Sequence, residues 1–276
     1  MTVSRTEPPF LISTLNPLQD AWFALDVQKQ GMWEVHSTQV MHHVFERMRQ
    51  RPSVASATAS AQQLVFVDVG ANHGWFSLLA ASVGWAVSAF EALPNVVREF
   101  RRSVLLNALD DSVKIHLAIA TTDSRKSLWV HPFVLGPSPT AYVTKAPRNK
   151  DTIPGAPARS VEIPSIRVDD GIGLHGHSLS AVGVIKVDVE GCEIDAFRSA
   201  SKVFEHARPE VFLEVCPSLL KRCETTREDE REVWRLLLRL KYTMLVYWHD
   251  ARRPAVQLKA ETRRIVHPYG RARFRC

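Results

Sequence analysis

The chain has 276 residues, 45% of them hydrophobic and 23% charged, with a formal net charge of +6 at pH 7. This composition is typical of a globular protein with a large core, and it excludes disorder, collagen-like repeats or a coiled coil as the main architecture. The modest positive charge favours acidic partners without identifying one. No apolar run approaches the roughly 20 residues of a membrane-spanning helix, and no secretory signal pattern is present, so we expect a cytoplasmic protein.

Residues 1–60 are expected to form an N-terminal helical extension and linker ahead of a main domain at 61–276. The helical spacing of Val40, Val44 and Met48 predicts a helix from Trp33 to about Met48. The small, polar stretch at 52–61 is typical of a linker. The first residues, which include a Glu-Pro-Pro-Phe segment ending at Phe10, are expected to be frayed.

Strands and helices are predicted to alternate from Leu64 onward. The β-branched and aromatic runs predict strands at 64–69, 86–91, 113–119, 182–189, 211–215 and 242–248. Helices are predicted at 75–83, 94–109 and 192–205, and a fourth is predicted to reach 240 after a capping box formed by Thr225 and Glu228. This alternation indicates an α/β fold whose mostly parallel sheet has helices on both faces.

Two features interrupt or accompany this pattern. Residues 131–164 contain seven prolines and little periodicity, which predicts a loop or hairpin insertion beside the active face. The four cysteines (Cys192, Cys216, Cys223 and Cys276) form no C-x-x-C pair and no zinc-finger spacing, so we expect reduced, mostly structural thiols.

The sharpest motif is Val-Asp-Val-Gly-Ala-Asn-His-Gly, which ends at Gly74 and joins the first strand to a helix. Gly70 and Gly74 allow a tight backbone turn and the close approach of a ligand. Glu91 ends the second strand, 21 residues after Gly70, where an acid can accept hydrogen bonds from both hydroxyls of a ribose. The combination indicates a cofactor that contains a nucleoside.

The pattern also favours one cofactor over another. A dinucleotide site requires G-x-G-x-x-G, whereas here Ala71 and Asn72 stand where the middle glycine is expected. Asp68 is a poor neighbour for a pyrophosphate and a good one for the cationic amino-acid end of S-adenosylmethionine. Two alternatives remain open: an NAD(P)-dependent oxidoreductase on a related sheet, and a non-catalytic nucleoside-binding module.

Several of these segments together resemble a known family. VDVGANHGWFSLLAA, AFEALPN, IKVDVEGCEIDAF and FLEV, in this order between residues 64 and 215, are similar to the FkbM family of class I S-adenosylmethionine-dependent methyltransferases. The resemblance implies a Rossmann-like sheet of seven strands, mostly parallel, and O-methylation of a hydroxyl as the usual activity. It also implies that the cofactor is lined by Asp68, Gly70, Asn72, Gly74 and Glu91.

A second acidic cluster follows the fourth core strand. On a strand of period two, Asp188 and Glu190 are expected to point the same way, beside the methyl group, where either can orient or deprotonate an acceptor hydroxyl. Glu193 opens the next helix, where a carboxylate is favourable on dipole grounds alone. A Mg²⁺ site formed by Asp188, Glu190 and Glu214 is the less favoured interpretation, so no metal is predicted.

The remaining features say little about the acceptor. His73 is interpreted as a packed or exposed turn residue in preference to a base, and Trp33 and Glu34 as either a lid over the cofactor or a packing anchor. The tail from Arg252 to Cys276 holds eight Lys or Arg against one acid, which leaves an anionic acceptor open. We expect a small-molecule or glycan acceptor and disfavour nucleic acid, because no binding motif for it is present. The oligomeric state is left open.

Overall fold

The computed structural model describes residues 1–50, 63–123, 127–132, 141–144, 160–214, 226–240, 242, 244–246 and 256–258. In this part of the chain the central sheet has five strands, which are Val65–Val69 (β3), Ala86–Glu91 (β4), Val113–Leu117 (β5), Val182–Val187 (β10) and Glu210–Leu213 (β11). All five are parallel, and their order across the sheet is β11–β10–β3–β4–β5. The predicted α/β fold with a mainly parallel sheet is therefore confirmed.

Helices cover both faces of this sheet. One face is covered by Ala21–Gln30 (α1), Val35–Arg49 (α2), Trp75–Ser82 (α3) and Pro94–Leu106 (α4), and the other by Val168–Leu174 (α5), Glu193–Ser199 (α6), Ser201–His206 (α7) and Arg227–Arg239 (α8). Strand β3 is buried throughout, and its alternating side chains divide between the two cores: Phe66 packs on the first face, Val65 and Val67 on the second. This is why the strand is apolar without interruption.

The N-terminal residues pack firmly, against the expectation of a frayed terminus. Thr2–Val3 (β1) and Leu11–Ile12 (β2) pair antiparallel. Phe10 is buried and packs edge-on against Trp75 with ring centroids 5.0 Å apart. The prediction failed because it treated the segment in isolation, whereas Phe10 fills the core shared by the N-terminal helices and the central sheet. The predicted linker at 52–61 lies outside the described residues.

The proline-rich insertion contributes to a second sheet. Ile119–Ala120 (β6), Ser127–Pro132 (β7), Ala141–Thr144 (β8) and Val161–Ile166 (β9) are ordered β6–β9–β7–β8. Strands β7 and β8 pair antiparallel, so the described part of the insertion contains a hairpin. The predicted third strand is divided: β5 ends at Leu117, while Ile119 pairs with Ser165 in the second sheet.

Three details near the C-terminus differ from expectation. The capping box is one residue later than predicted, because Thr226 and Asp229 bond each other's backbone N–H at 3.1 and 2.8 Å, while Thr225 lies outside the described residues. The predicted helix 192–205 is two helices, α6 and α7, separated at Ala200. Met244–Val246 (β12) and Val256–Leu258 (β13) pair with each other, so the described central sheet has five strands where seven were predicted.

Cys192 is disulfide-bonded, which corrects the expectation of reduced thiols. Its partner cysteine lies outside the described residues. Cys192 is the residue immediately before α6, so the covalent link is attached at the end of the turn that follows β10.

Candidate functional site

The candidate site lies where two neighbouring strands end at the same edge of the sheet. Strands β3 and β10 are paired so that Asp68 is level with Lys186 and Val69 with Val187. The 70–74 turn follows β3 and the 188–192 turn follows β10. The two turns touch: a Cβ on Gly70, whose φ is +77°, would lie 1.7 Å from the carbonyl oxygen of Asp188. Glycine is therefore required here by the approach of the protein's own backbone, a reason that adds to the tight turn and ligand approach predicted from the sequence.

Glu91 holds the 70–74 turn against the end of β4. Its Oε2 accepts from the backbone N–H of Asn72 at 2.9 Å, and its Oε1 accepts from Ala92 and Leu93 at 2.9 and 2.8 Å. Burial raises the pKa of Glu91, and the three backbone donors oppose this rise. A carboxylate has about four acceptor sites, so Glu91 keeps capacity for a ligand while it anchors the turn.

The backbone of the turn is left-handed at three positions. Asn72 has φ +51°, a conformation that asparagine tolerates better than most side chains, and Gly74 has φ +80°. A Cβ on Gly74 would lie 2.1 Å from the ring of Phe100 in α4. Gly74 is thus required for the helix that follows the turn to pack closely on α4.

His73 is fully buried beneath the turn. Its ring stacks on Phe23 of α1 with centroids 4.5 Å apart and an interplanar angle of 5°. Nε2 accepts from the backbone N–H of Leu15 at 3.2 Å, and Nδ1 lies 2.9 Å from Oδ1 of Asn72 and 3.5 Å from Oδ2 of Asp20. Burial lowers the pKa of His73 to about 4 and raises that of Asp20 to about 6. The expectation of a packed His73 agrees with this geometry.

Lys186 joins the two turns by charge. Its Nζ donates to Asp188 Oδ2 at 3.0 Å and to the carbonyl oxygen of Gly70 at 3.3 Å. The same atom lies 3.8 Å from Asp68 Oδ1 and 5.6 Å from the centre of the Phe76 ring. Burial alone would lower the pKa of Lys186, but the nearby carboxylates of Asp188 and Asp68 outweigh it and the pKa is raised. The ammonium therefore stays charged at neutral pH.

Asp68 lies under the site with no solvent exposure. Its Oδ2 accepts from the hydroxyl of Ser77 at 2.7 Å, while Oδ1 has no hydrogen-bond partner. Burial raises the pKa of Asp68, and Lys186 and Ser77 oppose the rise. Its contact with the cofactor stays a prediction, and in the described geometry Asp68 reaches the two turns through Lys186.

The acidic cluster after β10 is arranged differently from the prediction. Strand β10 ends at Val187, and Glu190 has φ +54°, so the period-two argument that aligned Asp188 with Glu190 does not apply. Glu193 is buried, and its Oε1 accepts from the backbone N–H of Gly191 at 2.7 Å and of Val189 at 3.4 Å. Glu193 therefore closes the 188–192 turn, in addition to standing at the start of α6 as predicted.

Burial raises the pKa of Glu193 to about 7, although the hydrogen bond from the Gly191 N–H acts to lower it. Its second oxygen, Oε2, is buried without a hydrogen-bond partner.

In the described residues, no group of three or more histidine, cysteine or acidic side chains is arranged to hold a metal ion, and this includes Asp188, Glu190 and Glu214. A search of the same residues found no helix long and apolar enough to cross a membrane.

Lys186 and Asp20 are site residues to which no role was assigned from the sequence. A signal for Lys186 was present, since a lysine within the otherwise apolar strand 182–187 is rarely buried without a charged partner. Asp20 had no such signal, because its contact with His73 joins residues 53 positions apart. The alternative of Trp33 as a packing anchor matches the structure, in which it packs on Phe23 with ring centroids 5.0 Å apart.

Comparison with known proteins identifies the family. The sequence model of the methyltransferase FkbM domain matches residues 68–244, which include both turns. The chain belongs to this family. No curated protein matches. Among solved structures, the chain is similar to a precorrin-6y C5,15-methyltransferase from Geobacter metallireducens, with 9% identity over 80% of this chain and 83% of that one and a TM-score of 0.36.

Family membership supports methyl transfer from S-adenosylmethionine. The residues present suit such a cofactor on two counts. Glu91 offers an acceptor at the end of β4, and Asn72, whose backbone N–H is bonded to Glu91, carries a side-chain amide in the same turn. The segments on which the sequence resemblance was based lie between residues 64 and 215, and the match covers 68–244, so the predicted family is confirmed.

Proposed function

We propose that this FkbM-family chain transfers a methyl group from S-adenosylmethionine to a hydroxyl oxygen of a glycan or a small metabolite. The observation that supports it is the contact between the two turns, because it brings a candidate cofactor holder and a candidate base to one edge of the sheet. Gly70 and Asp188 are in backbone contact at this edge. Ligands of open parallel sheets bind at such carboxyl ends.

In this proposal the nucleoside lies against the 70–74 turn. Glu91 accepts from a ribose hydroxyl with the acceptor site that its three backbone donors leave, and Asn72 is bonded to it through the backbone. Gly70 and Gly74 contribute by allowing the turn to adopt its left-handed backbone. Asp68 and Asp188 both form ion pairs with the Lys186 ammonium, and Asp68 contributes to the site through this common partner.

Asp188 is the proposed catalytic carboxylate. When bound, the cofactor supplies a methyl group already activated by its sulfonium, so positioning of the acceptor provides most of the rate. Asp188 Oδ2 is held by Lys186, and about a quarter of its side chain is exposed (27%), so it remains accessible to an acceptor. Asp188 orients the acceptor hydroxyl and takes its proton as the oxygen attacks. Glu190, two residues further in the same turn, is the second candidate for this role.

The test begins with binding and ends with the product. We expect calorimetry of the purified chain to detect S-adenosylhomocysteine and to give no response to NADH. Cell extracts incubated with the chain and methyl-labelled S-adenosylmethionine should contain a metabolite or glycan that has gained one labelled methyl group on oxygen. A labelled nitrogen or carbon would reject O-methylation. Cofactor binding without any labelled product would favour the non-catalytic nucleoside-binding module, and absence of cofactor binding would reject the proposal.

A further inference from the structure

The buried histidine beneath the 70–74 turn has a definite protonation pattern. A backbone N–H can only donate, so the 3.2 Å contact from Leu15 requires Nε2 of His73 to be the acceptor. A neutral imidazole that accepts at Nε2 carries its hydrogen on Nδ1. The lowered pKa of His73, about 4 because of burial, agrees with a neutral ring.

The hydrogen on Nδ1 fixes the side chain of Asn72. Nδ1 of His73 donates to the Oδ1 of Asn72 at 2.9 Å, so the amide group cannot be reversed without placing two donors against each other. Nδ2 of Asn72 is thereby turned away from His73, and within the described residues it has no hydrogen-bond partner. Asn72 is half-buried, so part of the residue remains accessible to a ligand.

The backbone of Asn72 is fixed as well. Its N–H donates to Oε2 of Glu91 at 2.9 Å, so the residue that carries the Nδ2 donor is bonded through its backbone to the carboxylate. An acceptor and a donor linked in this way match a ribose, whose hydroxyl groups both donate and accept.

We propose that His73 is a positioning residue that holds the Asn72 amide so that Nδ2 donates to a ribose oxygen of the bound cofactor. This inference rests on the proposed function. It makes the N-terminal segment part of the binding site, because the backbone of Leu15 selects the tautomer of His73, and Phe23 holds the ring flat by stacking.

A matched control exists in the same chain. His116 is also buried, stacks on Phe90 with centroids 4.5 Å apart and an interplanar angle of 12°, and has a pKa lowered to about 4 by burial. His116 contacts neither Asn72 nor Glu91 in any described hydrogen bond. His73→Phe and His116→Phe each keep a stacked ring and remove the imidazole nitrogens, so they disturb the core similarly.

The experiment titrates S-adenosylhomocysteine and 5′-methylthioadenosine, which has the ribose but no amino-acid end, into these variants by calorimetry. We expect His73→Phe to weaken both ligands by about tenfold or more, and His116→Phe to leave them within about twofold. Asn72→Asp keeps the shape and the bond to His73 but removes the donor, so it should weaken both ligands equally at an unchanged melting temperature. Loss of S-adenosylhomocysteine binding alone would overturn the ribose assignment.

A double-mutant cycle tests whether His73 acts through Asn72. In an Asn72→Ala background, His73→Phe should have almost no further effect on affinity, whereas additive losses would overturn the positioning role. The ¹⁵N chemical shifts of the His73 ring should report the Nδ1–H tautomer even without ligand, and the Nε2–H tautomer would also overturn it. If the wild-type chain binds neither ligand, the proposed function fails as well, and this outcome is distinct from binding that is insensitive to His73.

Discussion

The two turns at the site differ in how their backbones are held. The 70–74 turn is anchored by a carboxylate that accepts from backbone N–H groups and by a neutral imidazole packed under the N-terminal segment. The 188–192 turn carries a partly exposed carboxylate, Asp188, whose Oδ2 lies 3.0 Å from the Lys186 ammonium, and it is closed by the buried Glu193, which accepts from the Gly191 N–H. An acid bonded to backbone N–H groups suits the holding of a ligand, and a partly exposed carboxylate beside an ammonium suits chemistry.

Because of this difference, we expect substitutions in the two turns to change different measured quantities. Changes in the first turn should alter affinity for the cofactor, and changes in the second should alter turnover or its dependence on pH. The contact between Gly70 and the Asp188 carbonyl is the exception, since it belongs to both turns.

The largest effect is expected where the turns touch. Gly70→Ala places a Cβ 1.7 Å from the Asp188 carbonyl oxygen at a φ of +77°, so the two turns must separate. We expect a loss of about 4 kcal/mol or more in the free energy of unfolding, measured with urea. Gly84→Ala is the control, because its φ is +91° but no atom lies within 4 Å of the new Cβ. Gly84→Ala should lose only the free energy of placing a side chain at a positive φ, about 1–2 kcal/mol. Equal losses of unfolding free energy in the two variants would disprove the contact between Gly70 and Asp188.

The next effect separates chemistry from binding. Asp188→Asn keeps the size of the side chain and removes its charge and basicity. Single-turnover methyl transfer should fall by about 10²-fold or more, which is what general-base catalysis contributes. Affinity for S-adenosylhomocysteine should change much less. Near-normal turnover would transfer the catalytic role to Glu190, and a large loss of affinity would remove the distinction between the turns.

Glu193 should make the stability of the second turn depend on pH. Its folded pKa is raised from 4.5 to about 7, so the folded chain retains a proton that the unfolded chain releases. The contribution of protonated Glu193 to the free energy of unfolding is fully present below about pH 4.5 and is lost as the pH rises through about 7. Between pH 5 and 8, wild type should lose about 2–3 kcal/mol relative to Glu193→Gln in urea unfolding. Parallel stability curves would show that Glu193 does not titrate in this range.

The smallest effect concerns the first turn. Glu91→Gln keeps one acceptor oxygen but points an amide at a backbone donor and at the ribose. Affinity for S-adenosylhomocysteine should fall by about tenfold, as expected for the loss of hydrogen bonds to a charged acceptor. The single-turnover rate at saturating cofactor should be almost unchanged. A fall in that rate without a change in affinity would contradict the division between the turns.

The fold was largely predictable from the sequence because its signals are local. Strand β3 is buried on both faces, so it is apolar at every position but Asp68, and β4 ends at Glu91 as predicted. The capping box was misplaced by one residue because threonines at 225 and 226 both have an acid three positions later. Only the backbone can select between them.

The site was predictable in its members and less so in their roles. Glycines and acids at strand ends were identified by spacing, but spacing does not say what they touch. Gly70 contacts residue 188 and Gly74 contacts Phe100, and these long-range contacts have no counterpart in the local sequence. Asp188 and Glu190 were misaligned because a strand was assumed to continue, and Val187 is its last residue.

The N-terminal segment has a consequence for how the chain folds during synthesis. Leu11 is hydrogen-bonded through both its N–H and its carbonyl to Asn107, 96 positions later, and Ser13 is bonded to Ser103, 90 positions later. At a translation rate of about 5–20 residues per second, Leu11 and Ser13 wait roughly 5–20 seconds for these partners to be synthesised. Closing loops of 90 and 96 positions costs chain entropy before any of these hydrogen bonds forms. Docking of this segment is therefore a slow, non-local step of folding.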